Sequence, residues 1–236
     1  MLLNKLFVLL LVCLIIGFSA TAALAQKENL IKKIYAHYPL DGSTIDQGPN
    51  QLHGEAVDKK RCREDRFGNK EGALSFAGRD DSLTLPVNIS PGIMPQLTAA
   101  LWLKVEERAG ISTILSNNDG GFGRSLIIDS RKNRALLSVI AGNNQKVYGG
   151  INIPFNKWVF AAVSWNAENG KVSLYLIDQN KNFSTISTNN VNPGQGKDFI
   201  TLGKNPVSGD FFRGTIDQLM IWDQILSMDQ IKSLAD

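Results

Sequence analysis

Cysteine is nearly absent from this chain: two occur in 236 residues, Cys13 and Cys62. Cys13 lies in an apolar N-terminal run. A chain trimmed after that run keeps Cys62 alone, and a lone thiol cannot close an internal bridge. A disulfide scaffold is therefore excluded, and stability has to come from packing. The only histidines are His37 and His53, and nothing beside Cys62 marks it as a nucleophile. An excess of one charge is also missing. Lys and Arg number 25 against 22 Asp and Glu, a formal net charge of +3. The single basic cluster, Lys59-Lys60-Arg61-Cys62-Arg63, is flanked by Asp58, Glu64 and Asp65, which predicts a solvated loop. No nucleic-acid footprint is present.

Catalytic constellations are missing too. Two carboxylates share a strand face only at i and i+2 or i+4. Glu106 and Glu107 are adjacent and point to opposite faces, while Asp178 and Asp198 stand singly at strand ends. The Gly-rich stretch Asn117–Gly123 (NNDGGFG) lacks the Lys-Ser/Thr ending and the following helix of a phosphate loop. An enzyme is not expected.

Long hydrophobic runs occur once. Leu6–Phe18 follows Lys5 and precedes the small-residue site Ala23-Leu24-Ala25. This pattern predicts a secretory signal over residues 1–25, cleaved before Gln26, and a periplasmic or extracellular destination. The run is short for a membrane span and ends in Ser19–Thr21, not in a basic cluster. Leu10-Leu11-Val12-Cys13 resembles a lipobox only superficially, because Val12 stands where a small residue is needed. Cleavage leaves 236 − 25 = 211 residues and, with Lys5 gone, a formal charge of about +2. No long Pro/Ser linker or charge block divides 26–236, so one domain is expected.

What remains is a series of short β patterns. The most apolar stretch is Lys157–Asp178 (KWVFAAVSWNAENGKVSLYLID). Val159, Ala161, Val163 and Trp165 alternate with Trp158, Phe160, Ala162 and Ser164, so both faces of this strand are expected to be covered. Asn166–Gly170 supplies a turn, with Gly170 suited to positive φ. On the return strand Val172, Leu174 and Leu176 face inward, and Lys171, Ser173 and Tyr175 outward. Further strands are expected at Ile34–Leu40, Gln51–Val57, Gly72–Phe76, Ser82–Leu85, Leu97–Val105, Ile111–Ser116, Ser125–Asp129, Ala135–Ile140, Val147–Ile151, Phe183–Ile186 and Asp198–Leu202. Polar turns are expected at Arg131–Arg134 and Asn143–Lys146. The last strand, Phe211–Trp222, changes phase near Asp217–Gln218, which predicts a β-bulge that keeps Ile216, Leu219 and Ile221 inward. Ser227 and Gln230 form a capping-box pattern ahead of a short helix striped by Met228, Ile231 and Leu234. Many short strands and one good helix argue for an all-β, two-sheet antiparallel jelly-roll sandwich with a short C-terminal helix.

Five segments carry a resemblance. They are YPLDGSTIDQGPNQLHGEAV, DRFGNKEGALSFAGRDDSLTL, LTAALWLKV, NKWVFAAVSWNAENGKVSLYLI and FRGTIDQLMIWDQILSMDQIKSL. In this order the chain resembles the bacterial LamG-like jelly-roll domains of the concanavalin A-like lectin/glucanase superfamily. The resemblance implies two packed antiparallel sheets, one of them concave, and a mostly non-catalytic module that binds carbohydrate or protein. It also implies a calcium ion tethering loops, for which Asp41, Asp46 and Asp217 are the matching carboxylates. Calcium takes several hard oxygen ligands. The alternative is that Asp46 caps its own loop and Asp217 fills the bulge.

A secreted recognition module for carbohydrate is the function expected. Sugar sites need flat aromatic faces with Asn, Asp or Arg hydrogen-bonders. The candidates are Asn117, Asn118, Asp119, Phe122 and Arg124 in the Gly-rich loop, with Tyr148 and Phe211 as platforms. The alternatives are an adhesive, protein-binding domain at the cell envelope and, less favoured, a glycoside hydrolase.

Overall fold

A computed structural model describes residue 25 and residues 27–120, 123–132, 134–141 and 146–235. The expected signal segment apart from Ala25, the candidate Phe122 and residues 143–145 of an expected turn lie outside these.

Two units are distinguished, Ile34–Leu226 and the pair of terminal segments up to Lys33 and from Ser227. The first carries the strands: β1 (Ala36–Tyr38), β2 (Cys62–Arg63), β3 (Ala73–Ala77), β4 (Leu83–Leu85), β5 (Gln96–Val105), β6 (Ile111–Ser116), β7 (Ser125–Asp129), β8 (Leu136–Ala141), β9 (Lys146–Asn152), β10 (Trp158–Asn166), β11 (Lys171–Ile177), β12 (Phe183–Thr188), β13 (Ile200–Leu202) and β14 (Arg213–Trp222). They form two antiparallel sheets. The larger runs β12-β11-β10-β5-β14-β3-β2, with β1 also paired to β14; the smaller runs β4-β13-β6-β7-β8-β9. This is the jelly-roll sandwich that the strand pattern predicts.

The β10–β11 hairpin sits inside the larger sheet, with β5 on its other side. Val159, Ala161, Val163 and Trp165 face the core with Leu97, Ala99, Leu101 and Leu103 of β5. Burying an aliphatic side chain of this size contributes about 1.5–3 kcal/mol. The opposite positions are covered as well: Phe160 and Ala162 are fully buried. Ser173 and Tyr175 point away from the core yet are buried too, and Ser173 shares a hydrogen bond of 2.8 Å with Ser187. Gly170 closes the turn at φ 65°. The bulge in β14 falls where the phase change put it. Its register on β5 shifts between Asp217 and Met220, and Gln218 takes φ 54°. Ile216, Leu219 and Ile221 all enter the core.

One expectation is corrected. Gln51–Val57 is not a strand. Asp46 organises it as a turn, accepting from Leu52 N (2.9 Å), while Gly54 N donates to Thr44 O (2.9 Å). The basic cluster 59–63, expected to be solvated, is exposed at Lys59, Lys60 and Arg63 and carries local structure. Asp58 caps a 3-10 turn over Lys59–Arg61 and β2 follows at the edge of the sheet, with the Arg61 guanidinium 4.7 Å above the Phe76 ring.

In the second unit residues 27–32 are helical, and helix α1 spans Met228–Leu234. Its capping box forms as expected: Ser227 Oγ accepts from Gln230 N, and Gln230 Oε1 accepts from Ser227 N. Ile231 and Leu234 are buried, whereas Met228 is exposed.

Candidate functional site

Strand alternation builds the floor of a cleft. Thr215 of β14 pairs with Ser75 of β3 on one side and Lys104 of β5 on the other, and Arg213 pairs with Ala77. Their chain neighbours Leu74, Phe76, Leu103, Val105 and Ile216 fill the core. Period two therefore turns Ser75, Lys104, Arg213 and Thr215 to the opposite, outer face. The segment 62–71 stands beside them as a wall. The resulting cleft measures about 770 Å³; Glu64, Lys70 and Glu71 line the wall, and Glu106 lines the floor's end. Arg213 Nε donates to Glu106 Oε2 at 3.0 Å.

Aromatic rings border the same face. Lys104 Nζ lies 5.3 Å over the Trp158 ring. Two residues back on β5, about 7 Å along the strand, is Trp102. The Arg66 guanidinium lies 4.6 Å above its ring and 4.3 Å from the ring of Phe67. Arg66 Nη1 also meets Asp217 Oδ2 at 2.5 Å, and Nη2 donates to Gln218 Oε1 at 3.3 Å. The bulge thus aims Asp217 at the wall segment and fastens it down. Asp217 is 2% exposed, and burial pushes its carboxyl up to about 6; Arg66 opposes that shift, while Asp65 and Asp41 add to it.

Of the residues expected to hold sugar, the described ones are not among the cleft's lining side chains, and Asn117, Asn118 and Arg124 are buried. Asn117 is fully buried. Its Oδ1 accepts from Arg124 N (2.7 Å), and its Nδ2 donates to Gln195 O (3.1 Å) and Lys197 O (3.3 Å). Arg124 is also fully buried and donates to Ile89 O and Met94 O (2.9 and 2.8 Å). Burial pulls its guanidinium down to about 10, so it stays charged at neutral pH. Asn118 is buried and accepts from Gly120 N, while Asp119 is exposed. Tyr148, half-buried on β9, packs against the core, and Phe211 is half-buried beside Thr113. Asn117, Asn118 and Arg124 form a structural knot at the β6–β7 turn. Tyr148 and Phe211 are not part of the cleft lining.

Two of the three carboxylates expected to hold calcium already have partners within the fold. Asp46 Oδ1 accepts from His37 N and Gly48 N, both at 2.7 Å, and Oδ2 accepts from Leu52 N. Asp217 carries Arg66, and Asp41 is exposed in the turn after β1. Among the described residues no three His, Cys, Asp or Glu side chains gather as a metal site.

A family model described as the concanavalin A-like lectin/glucanases superfamily matches residues 77–232. The chain belongs to this superfamily. Among curated relatives, the "Sushi, von Willebrand factor type A, EGF and pentraxin domain-containing protein 1" of Rattus norvegicus is 27% identical over 155 residues, 61% of this chain and 4% of that protein. The pentraxin-related protein PTX3 of Mus musculus is 22% identical over 172 residues, 69% of this chain and 45% of that protein. The superfamily domain here thus spans less than half the length of either. Among solved structures, domain 4 of the GH43 extracellular arabinanase AbnA from Geobacillus stearothermophilus, in complex with arabinotriose, superposes with a TM-score of 0.60 at 22% identity, covering 86% of this chain and 98% of that one. The botulinum neurotoxin serotype D ligand-binding domain in complex with N-acetylneuraminic acid gives 0.65 at 14% identity, covering 89% and 52%. At such identities the likeness is one of fold.

Proposed function

We propose that this superfamily member is an exported, non-catalytic recognition domain that binds a carbohydrate in the cleft on the outer face of its larger sheet. The observation that carries the reading is the cleft itself, whose floor presents Lys104, Arg213, Ser75 and Thr215, with Trp158 beside Lys104. Hydroxyl and ammonium donors fix sugar hydroxyls, and aromatic rings take the apolar sugar face. Carbohydrate complexes of two fold neighbours support it. The cleft acids favour binding over hydrolysis. Glu64 and Glu71 stand on one wall and Glu106 is tied to Arg213, whereas a glycosidase sets a free acid against a facing carboxylate about 5–9 Å away. The apolar run and Ala23-Leu24-Ala25 support export. Among the described residues no helix is long and apolar enough to cross a membrane.

A glycan array probed with the 26–236 protein tests this. Binding to a saccharide set, abolished by Lys104→Ala with an unchanged melting temperature, is the expected result. A blank array, or binding indifferent to Lys104, overturns the site.

A further inference from the structure

Resting on that reading, we infer that Phe67 is the stacking platform of the cleft, and that the segment Asp65–Asn69 exists to hold it there for a neutral pyranose with an apolar C–H face.

Phe67 is 72% exposed, the most exposed of the large hydrophobic side chains among the described residues. It is not on a loose loop. Asp65 Oδ1 accepts from Phe67 N (2.8 Å) and Asn69 N (2.9 Å), and its Oδ2 accepts from Asn69 Nδ2 (2.8 Å). Asp65 N donates in turn to Asn69 O at 3.2 Å, and Gly68 takes φ 84°. These hydrogen bonds outweigh the effect of burial and hold the Asp65 carboxyl below its ordinary range. The turn is closed on itself, with Phe67 at its apex.

The same turn occurs again, between β11 and β12. Asp178 Oδ1 accepts from Asn180 N (2.8 Å) and Asn182 N (2.9 Å), its Oδ2 accepts from Asn182 Nδ2 (2.9 Å), and Asp178 N donates to Asn182 O (3.2 Å). Asn180 occupies the position of Phe67. The turn therefore folds with a polar apex, and nothing in its geometry asks for an aromatic ring. An exposed phenyl group that the local fold does not need points to a ligand.

The surroundings fix which ligand. One face of the Phe67 ring is stacked by Arg66, itself clamped on Trp102 and Asp217. A ring braced in this way loses little rotamer freedom on binding, which favours affinity. Glu64 and Lys70 flank the turn and line the cleft; the turn that carries Phe67 therefore adjoins the cleft, although the ring is not itself among the lining side chains. The lining balances Arg63, Lys70, Lys104 and Arg213 against Glu64, Glu71 and Glu106. That near-neutral set favours an uncharged sugar whose hydroxyls meet mixed donors and acceptors. A strongly anionic glycan would meet the three carboxylates along with the four cations.

The test compares wild type, Phe67→Ala, Phe67→Trp and Lys104→Ala on the array, with titration of the best neutral saccharide and a melting curve for each. Exposure predicts that both Phe67 variants fold normally. The expected result is a loss of about tenfold or more in affinity for Phe67→Ala, with affinity kept or raised for Phe67→Trp. Binding lost in Lys104→Ala but unchanged in Phe67→Ala overturns the platform and leaves the cleft as a sugar site. A wild type that binds no saccharide overturns both, and a preference for sialylated or sulfated glycans overturns the neutral class.

Discussion

Asn117 Oδ1 accepts a hydrogen bond from the backbone N–H of Arg124 at 2.7 Å, and the side chain of that same arginine runs inward to the carbonyls of Ile89 and Met94. The β6–β7 turn is thereby stapled to the segment that leads into β5. The guanidinium has no carboxylate among these partners; carbonyl dipoles alone hold a buried charge.

Arg124→Met should therefore unfold easily. It leaves at least two buried carbonyl oxygens without donors, each worth about 1–3 kcal/mol. We expect a melting temperature lower by roughly 5–15 °C, measured by calorimetry on the 26–236 protein. Arg124→Lys should recover only part of this: one ammonium could serve the Ile89 and Met94 carbonyls, which share Arg124 Nη1, but not also the Pro95 carbonyl that Nη2 reaches at 3.3 Å. An unchanged melt for Arg124→Met would show that the staple carries no stability.

Stability should depend on the ionisation of Asp217. Its folded value of about 6, raised by burial, lies above the value of about 3.9 expected in the unfolded chain. The folded state then holds the proton more tightly. This contribution is fully present below about pH 4 and is lost as pH rises through about 6, with a size on the order of 2–3 kcal/mol. In Asp217→Asn that rise and fall should vanish from the stability–pH profile between pH 4 and 7. Chemical denaturation at stepped pH measures it, and an unaltered profile in the variant would place the titration elsewhere.

Calcium should leave the protein unmoved. The Asp46 carboxylate already accepts three backbone N–H groups, so we expect the melting temperature to agree within about a degree between millimolar calcium and excess chelator; a ligand of the folded state alone would raise it. Asp46→Ala should lose about 2–4 kcal/mol equally in both buffers. A calcium-dependent shift that disappears in Asp46→Ala would reinstate the cation.

The sequence carried most of the framework and little of the site, for a physical reason. Period-two alternation locates β5, β10 and β11 because their inward residues must be apolar whatever the loops do. The β14 bulge was legible for the same reason: Ile216 and Leu219 cannot both face the core without an extra residue between them. Gln51–Val57 misled because its alternation is weak and Asp46, five residues upstream, decides its shape. Asn117 and Arg124 are more instructive. Polar residues in a Gly-rich loop suit either a ligand or the backbone, and only coordinates show which partner won. Phe67 sits inside a charged stretch, where an aromatic at the middle of Asp-x-x-x-Asn is the visible signal. The cleft itself depends on β3, β14 and β5 lying side by side, and no local pattern encodes that adjacency.

The twin turns at Asp65–Asn69 and Asp178–Asn182 have one more implication. Each closes through its first and last residues, so its central residue, Phe67 or Asn180, carries little of the folding burden. Such a turn is a cheap place for mutation to explore. A single codon change at the apex replaces an exposed side chain without disturbing the scaffold, whereas a change in the buried knot around Arg124 strands its partners. Divergence among descendants of this chain should accordingly gather at the turn apices and spare the staple.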